Sequence, residues 1–325
     1  MPDREAIDAA AELLRAGRLV AFPTETVYGL GADADNAAAV RLIYAAKGRP
    51  AGHPVIVHLA DAGEIDHWAR EVPAGARQLA RAFWPGPLTL IVARAARVDD
   101  VVTGGTATVG LRVPSHPVAQ HLLAAFRARG GHGIAAPSAN RFGHVSATTA
   151  QHVADDFGDA VAMIIDGGAT DVGIESTIVA FNGDAPVLMR PGAIDAAAIE
   201  ALLGRALHAP AGDAPRASGT LASHYAPRTH ARLVAAHALA AEIAQHAARD
   251  EEVGVLARTA ARPADFAGHW VAAPQDSEGY ARRLYAALRE LDAAHADTLL
   301  IEDVPDDDAW RAVRDRLSRA THATR

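Results

Sequence analysis

Apolar residues fall in short runs separated by stretches of helical period, which predicts an α/β chain. Residues 3–16 place Ile7, Ala10, Ala11 and Leu14 on one face, with Asp3 as N-cap and Gly17 as stop, the signature of an amphipathic helix. A strand is predicted over 19–22, running into the small polar turn Pro23-Thr24-Glu25-Thr26 before Val27-Tyr28-Gly29-Leu30-Gly31. A second helix is predicted over 36–47, turning Val40, Ile43 and Tyr44 inward and ending at Gly48-Arg49-Pro50.

Further apolar runs at 55–59, 88–92, 109–113, 134–136, 161–165, 177–181 and 187–189 read as strands. Helical patterns at 75–83, 118–129 and 149–157 intervene, the last with a capping box of Thr148 and Gln151. Residues 1–204 therefore read as an α/β domain with a large twisted mixed sheet. Residues 205–229 lack a period and read as a linker. Residues 230–325 read as a small Rossmann-like α/β domain, with strands near 231–234, 253–256, 270–272 and 298–301 alternating with helices near 236–249, 277–294 and 307–320. It has no dinucleotide glycine fingerprint.

Composition narrows the chemistry. The 325 residues are half hydrophobic, enough for two cores, and contain no cysteine, which removes thiolate nucleophiles, disulfides and cysteine metal sites. No window approaches the roughly 18 unbroken apolar residues of a membrane span, and the start of the chain is charged rather than signal-like, so a cytoplasmic protein is expected. Residues 1–200 hold 16 basic against 22 acidic side chains, so strong direct nucleic-acid binding is not expected. The cations are 30 Arg and a single Lys, Lys47.

Several motifs are missing. Lys47 is followed by Gly48, not Ser or Thr, which excludes a Walker A loop, and no Gly-x-Ser-x-Gly elbow occurs. His53/His58 and His116/His121 stand five apart, off the one-turn spacing of helical metal ligands, so no metal site is expected. What remains is a set of cations and hydroxyls near strand ends and turns: Thr24, Lys47, Arg49, His58, Arg112, Ser138, Asn140, Ser146, Ser176 and Arg190. One at a time they read as caps, a helix-end cation and a structural His. Together they suit an anion pocket for a triphosphate or carboxylate. Lys47 and Arg49 stand out, since cations so close at a helix end repel unless an anion lies between them.

The segments Phe22-Pro-Thr-Glu-Thr-Val-Tyr-Gly-Leu-Gly31, Lys47-Gly-Arg-Pro50 with Pro54-Val-Ile-Val-His58, Trp84-Pro-Gly-Pro-Leu-Thr89 and Ala135-Ala-Pro-Ser-Ala-Asn140 resemble the YrdC-like threonylcarbamoyl-AMP synthases. Leu111-Arg-Val-Pro114, Asp166-Gly-Gly168, Glu175-Ser-Thr-Ile178 and Leu188-Met-Arg-Pro-Gly192 extend the match, and His224-Tyr-Ala-Pro227 followed by a small domain resembles the long, two-domain form. The resemblance implies synthesis of L-threonylcarbamoyladenylate and pyrophosphate from L-threonine, bicarbonate or CO2, and ATP with Mg²⁺. A downstream tRNA threonylcarbamoyl transferase complex would receive the product. It implies that Thr24, His58, Arg112, Ala136 and Ser176 hold threonine, with Arg112 on its carboxylate. Lys47, Ala51, Thr108, Ser138, Asn140, Ser146, Arg190 and Tyr225 would hold ATP, with Lys47 and Arg49 catalytic and Tyr225 folding over the nucleotide as a lid. The chain departs from the family pattern at Ser218-Gly219, where many relatives carry Pro-Gly. The alternatives are an RNA-binding or ribosome-associated module, carbamoyl transfer from carbamoyl-phosphate, and a non-catalytic regulatory relative.

Overall fold

The first helix forms where its pattern requires: it spans Arg4–Arg15, Asp3 caps it by accepting from the Ala6 N–H, and Ile7, Ala10, Ala11 and Leu14 are its buried face. The computed structural model describes residues 2–212 and 214–322. They divide into two units, one made of residues up to Phe142 plus Ala147–Thr220, the other of Gly143–Ser146 plus residues from Leu221 on. Of the predicted linker, residues 205–212 and 214–220 thus fold with the first unit and residues 221–229 with the second.

Among the described residues the first unit has ten strands: β1 (Val20–Phe22), β2 (Gly29–Asp33), β3 (Ile56–His58), β4 (Ala69–Glu71), β5 (Leu88–Arg94), β6 (Thr108–Arg112), β7 (Ile134–Ala135), β8 (Met163–Ile164), β9 (Thr177–Asn182) and β10 (Ala185–Arg190). Their order is β10-β9-β5-β6-β3-β7-β2-β1-β8, with β4 paired to β5. The sheet is mixed: β3/β6, β5/β9 and β1/β8 run parallel, while β1/β2, β5/β6 and β9/β10 run antiparallel. Helices cover both faces. Val20 and Phe22 of β1 pack in the cluster of helices Arg4–Arg15 and Pro117–Ala128, while Ala21 between them packs in the cluster of helix Ala37–Lys47.

Two local differences from the sequence reading have plain causes. The helix Ala150–Phe157 is capped by Thr149, which accepts from the His152 N–H, rather than by Thr148 with Gln151, and this frame buries Val153 and Phe157. β2 carries two glycines and does not read as a strand; at Gly31 a Cβ would stand 2.8 Å from the Phe22 ring and 2.9 Å from Ile134, so only glycine lets the neighbouring strands close.

The segment after the helix Ala196–Leu203 is not structureless. His208 pairs with Pro186 and Leu188 of β10 through its backbone, and Ala217 is buried against Ile91, Ile178, Ala180, Val187 and Met189.

The second unit is built on a four-stranded parallel sheet, order β11-β14-β12-β13, from β11 (His230–Val234), β12 (Val253–Ala257), β13 (His269–Ala272) and β14 (Thr298–Glu302). Helices Leu239–Ala247, Ser277–Ala293 and Arg311–Ala320 accompany it. Among the described residues no helix is long and apolar enough to cross a membrane.

Candidate active site

Lys47 ends the helix Ala37–Lys47, which stops because Gly48 takes a left-handed conformation, φ 64°, open to glycine at little cost. The Lys47 side chain is 3% exposed. Its Nζ donates to the carbonyl oxygens of Ser138 at 2.6 Å and Asn140 at 2.5 Å, pinning the Pro137–Asn140 segment beside β2. Burial, then the Arg49 charge, pushes the ammonium well below its ordinary pKa. Lys47 is therefore more than a dipole cap, which would leave it in water.

Arg49 turns elsewhere. Its Nη2 donates to the Pro54 carbonyl at 2.8 Å and reaches the Ser218 hydroxyl at 3.4 Å, its Nε donates to the His53 carbonyl at 3.3 Å, and its guanidinium lies over the Phe142 ring. Ser218 is a junction. Its hydroxyl donates to the Pro54 carbonyl at 2.8 Å, and its own carbonyl accepts from Arg190 Nη1 at 2.9 Å. Arg190 also donates through Nε and Nη2 to the Ser176 carbonyl, and through Nη2 to the Ser176 hydroxyl at 3.2 Å. The Ser176 hydroxyl in turn pairs with Thr89 at 2.8 Å. Arg49, Ser218, Arg190 and Ser176 thus form one hydrogen-bonded chain.

A second network surrounds Arg112. β3 and β6 place His58 and Arg112 side by side in register. Arg112 Nε donates to the Gly86 carbonyl at 3.2 Å, its Nη1 donates to the Thr26 hydroxyl at 2.9 Å, and its Nη2 lies 2.7 Å from Glu25 Oε1. Thr26 pairs with the Thr24 hydroxyl at 2.8 Å, and Thr24 donates to the Val27 carbonyl at 2.6 Å, so the Pro-Thr-Glu-Thr turn is knitted around its own hydroxyls. His58 is buried, and burial with the Arg112 charge beside it lowers its pKa to about 3, leaving a neutral imidazole.

Other residues singled out from the sequence stand apart. Ala136 is buried and donates its N–H to the Ile56 carbonyl, and Ala51 is exposed on the turn after Arg49. Thr108 begins β6 and lines an apolar groove of about 650 Å³ with Ala180, Val187, His208 and Pro215, outside both networks. Ser146 and Tyr225 belong to the second unit. There Arg289 donates to the carbonyls of Val145 and Ser146. Tyr225, at φ 61°, is buried with its ring stacked on Tyr285 and the Arg316 guanidinium over it.

Glu25, Thr26, Thr89 and Ser218 were not among the sequence candidates. The first three lie inside quoted motifs, but nothing in the order of residues says which member of a polar turn faces Arg112 or that Thr89 meets Ser176. Spacing also missed Asp35, His67 and His132, whose ligand atoms lie within 4.8 Å of one another. The imidazoles stack, with ring centroids 4.0 Å apart, and Arg97 Nη1 lies 3.3 Å from His67 Nδ1, so a guanidinium opposes any cation there.

A large mixed sheet with buried cations at its strand ends, joined to a small parallel α/β unit, defines the two-domain Sua5/YciO/YrdC class. That family's model, described as "Telomere recombination", matches residues 12–192, and a second, described as "Threonylcarbamoyl-AMP synthase, C-terminal domain", matches residues 194–322. The threonylcarbamoyl-AMP synthase of Pyrococcus abyssi is 39% identical over 97% of this chain and 94% of its own. That of Bacillus subtilis is 40% identical over 97% and 92%. The crystal structure of P. abyssi Sua5 complexed with L-threonine superposes with a TM-score of 0.92 at 37% identity, covering 99% of this chain and 95% of that one. The chain belongs to the threonylcarbamoyl-AMP synthase family.

Proposed function

We propose that the protein makes L-threonylcarbamoyladenylate and pyrophosphate from L-threonine, bicarbonate or CO2, and ATP entering as its Mg²⁺ complex. The neutral threonine nitrogen attacks the CO2 carbon, forming the N–C bond and losing its proton to solvent. A carbamate oxygen then attacks the α-phosphorus, and the bond to the pyrophosphate oxygen breaks. Neither step needs a protein nucleophile, and positioning with charge stabilisation is what the residues offer. In this reading Arg112 takes the threonine carboxylate, the neutral His58, Thr24 and Ser176 surround the rest of the amino acid, and Ala136 packs behind it.

One observation carries the reading: Lys47 is a buried ammonium tied to two carbonyls, which commits two of its three N–H donors and aims what remains of its charge from a fixed position. Charge developing on the phosphates is what a preorganised cation of this kind stabilises. Arg49 and Arg190, joined through Ser218, supply the further cations. Ser138 and Asn140 complete the first unit's share of the nucleotide contacts; Ala51, Thr108, Ser146 and Tyr225 remain ATP contacts on the family resemblance alone. The adenylate would pass to a tRNA threonylcarbamoyl transferase in the cytoplasm.

The test is pyrophosphate release by the purified protein. It is expected only when ATP, L-threonine and bicarbonate are all present. Release that continues undiminished without threonine would rule the reaction out.

A further inference from the structure

The arginine that would receive the substrate carboxylate already has a carboxylate beside it. Arg112 and Glu25 form an ion pair at 2.7 Å with both side chains under 10% exposed. Two of the three Arg112 nitrogens are committed to Gly86 and Thr26, so Nη2 is the end directed at Glu25. Neither Glu25 oxygen accepts a hydrogen bond from a described residue. The Arg112 guanidinium first, and then the backbone N–H groups of Glu25 and Ser115, favour its charge. Burial alone would push the carboxyl pKa up; Arg112, with those N–H groups, more than reverses this and holds it below the ordinary value. The nearby imidazoles of His58 and His116 are both driven toward their neutral forms by burial and add no competing cation.

A buried carboxylate normally accepts several well-aligned hydrogen bonds, and Glu25 has little beyond its ion pair with Arg112, which leaves it capacity for a further donor. An α-amino acid is a zwitterion, with an ammonium and a carboxylate on one carbon, and a buried cation–anion pair presents the matching charges. We propose that Glu25 accepts the α-ammonium of the substrate amino acid, so that the zwitterion inserts into the Arg112–Glu25 pair with its carboxylate on Nη2. This rests on the reaction proposed above, because it takes Arg112 as the carboxylate-binding group.

Glu25 is then a specificity-determining residue and not the base: the bound ammonium gives up a proton to solvent before the neutral nitrogen attacks CO2. The ordinary pKa values of a glutamate and an α-amino group lie roughly four units apart, about 10⁴-fold against proton transfer. A ligand lacking the amine would leave Glu25 buried and without a donor, and a site built to pair a polar group rejects analogues that lack it.

The experiment is calorimetric titration of the full chain with L-threonine and with (R)-3-hydroxybutyrate, which keeps the carboxylate and β-hydroxyl and lacks the amine. The unmodified protein is expected to prefer threonine at least tenfold, and Glu25→Gln is expected to lower that preference at least tenfold. A smaller drop, or equal weakening of both ligands, overturns the proposal, because a Glu25 that merely oriented Arg112 would affect both alike. Should Glu25→Gln not fold, the preference of the unmodified protein decides, and a value below tenfold overturns it. If that protein releases pyrophosphate with threonine while Glu25→Gln keeps its preference, the Glu25 assignment alone falls. If the unmodified protein does not bind threonine, the reaction falls with it.

Discussion

Lys47 in the first unit and Glu302 in the second are both buried charges at the ends of regular elements, yet their surroundings differ in kind. Glu302, at the end of β14, accepts from the backbone N–H groups of Arg258 at 2.7 Å, Thr259 at 2.8 Å and Ala260 at 2.9 Å, and from the Thr259 hydroxyl. Burial raises its pKa, but those donors outweigh burial and hold it below the ordinary value. Lys47 is held by two carbonyls, and burial drives it the other way, toward losing its charge. A charge whose oxygens are filled by the backbone donors of one loop staples that loop to its strand, as Glu302 of β14 does for the loop after β12. A charge kept in place while its environment disfavours it is available to a ligand of opposite sign.

The largest expected effect comes from Lys47→Ala, which should reduce threonine-dependent pyrophosphate release by about 10³-fold, the scale of losing a preorganised donor to developing charge. Stability should fall by about 1–3 kcal/mol, because the Ser138 and Asn140 carbonyls lose their donor. That exceeds the roughly 0.3–1 kcal/mol of a cation that only meets a helix C-terminus. Denaturant melts separate the two values, and a variant that kept a tenth of its turnover would place the chemistry elsewhere.

Glu302→Ala should show the reverse pattern. Losing the acceptor of several N–H groups is expected to cost about 2–4 kcal/mol, with L-threonine affinity changed less than twofold. The pH dependence follows from linkage. The folded pKa of Glu302 lies below its unfolded value, so its contribution is present above the unfolded pKa, about 4.3, and is lost as pH falls through the lower folded value. The unmodified and variant proteins should therefore converge in stability under acid. Loss of threonine binding equal to that of a first-unit substitution would erase the contrast.

Element types were readable because burial pattern and caps act locally. Asp3 and Gly48 cap or end their helices where the sequence suggests, and the four strands of the second unit were each visible as an apolar run. β2 was hidden because its glycines answer to the Phe22 ring on a neighbouring strand, a contact with no local trace. Among the candidate residues, the types of the cations and the elements that carry them were legible, but their partners were not. That Arg112 meets Glu25 rather than standing open, and that Arg49 and Arg190 both reach Ser218, depends on which ends of distant strands meet. The helix-end reading of Lys47 was right about its element and silent about its burial, since the segment that buries it lies some ninety residues on.

Ser218 provides the finest test of the contrast, because its main contribution to the cationic network does not depend on its side chain. Its carbonyl accepts from Arg190, which any residue at that position can offer, while its hydroxyl donates to Pro54 and only grazes Arg49 at 3.4 Å. Ser218→Ala should therefore cost about 0.5–1.5 kcal/mol and shift the KM for ATP by no more than about threefold, with kcat unchanged. Arg49 keeps its bonds to the His53 and Pro54 carbonyls in either case. Steady-state kinetics with ATP varied at saturating threonine measures this. A tenfold rise in KM would mean that the hydroxyl, not the backbone, holds the two arginines in place, and residues 205–220 would then count as part of the binding machinery rather than as its cover.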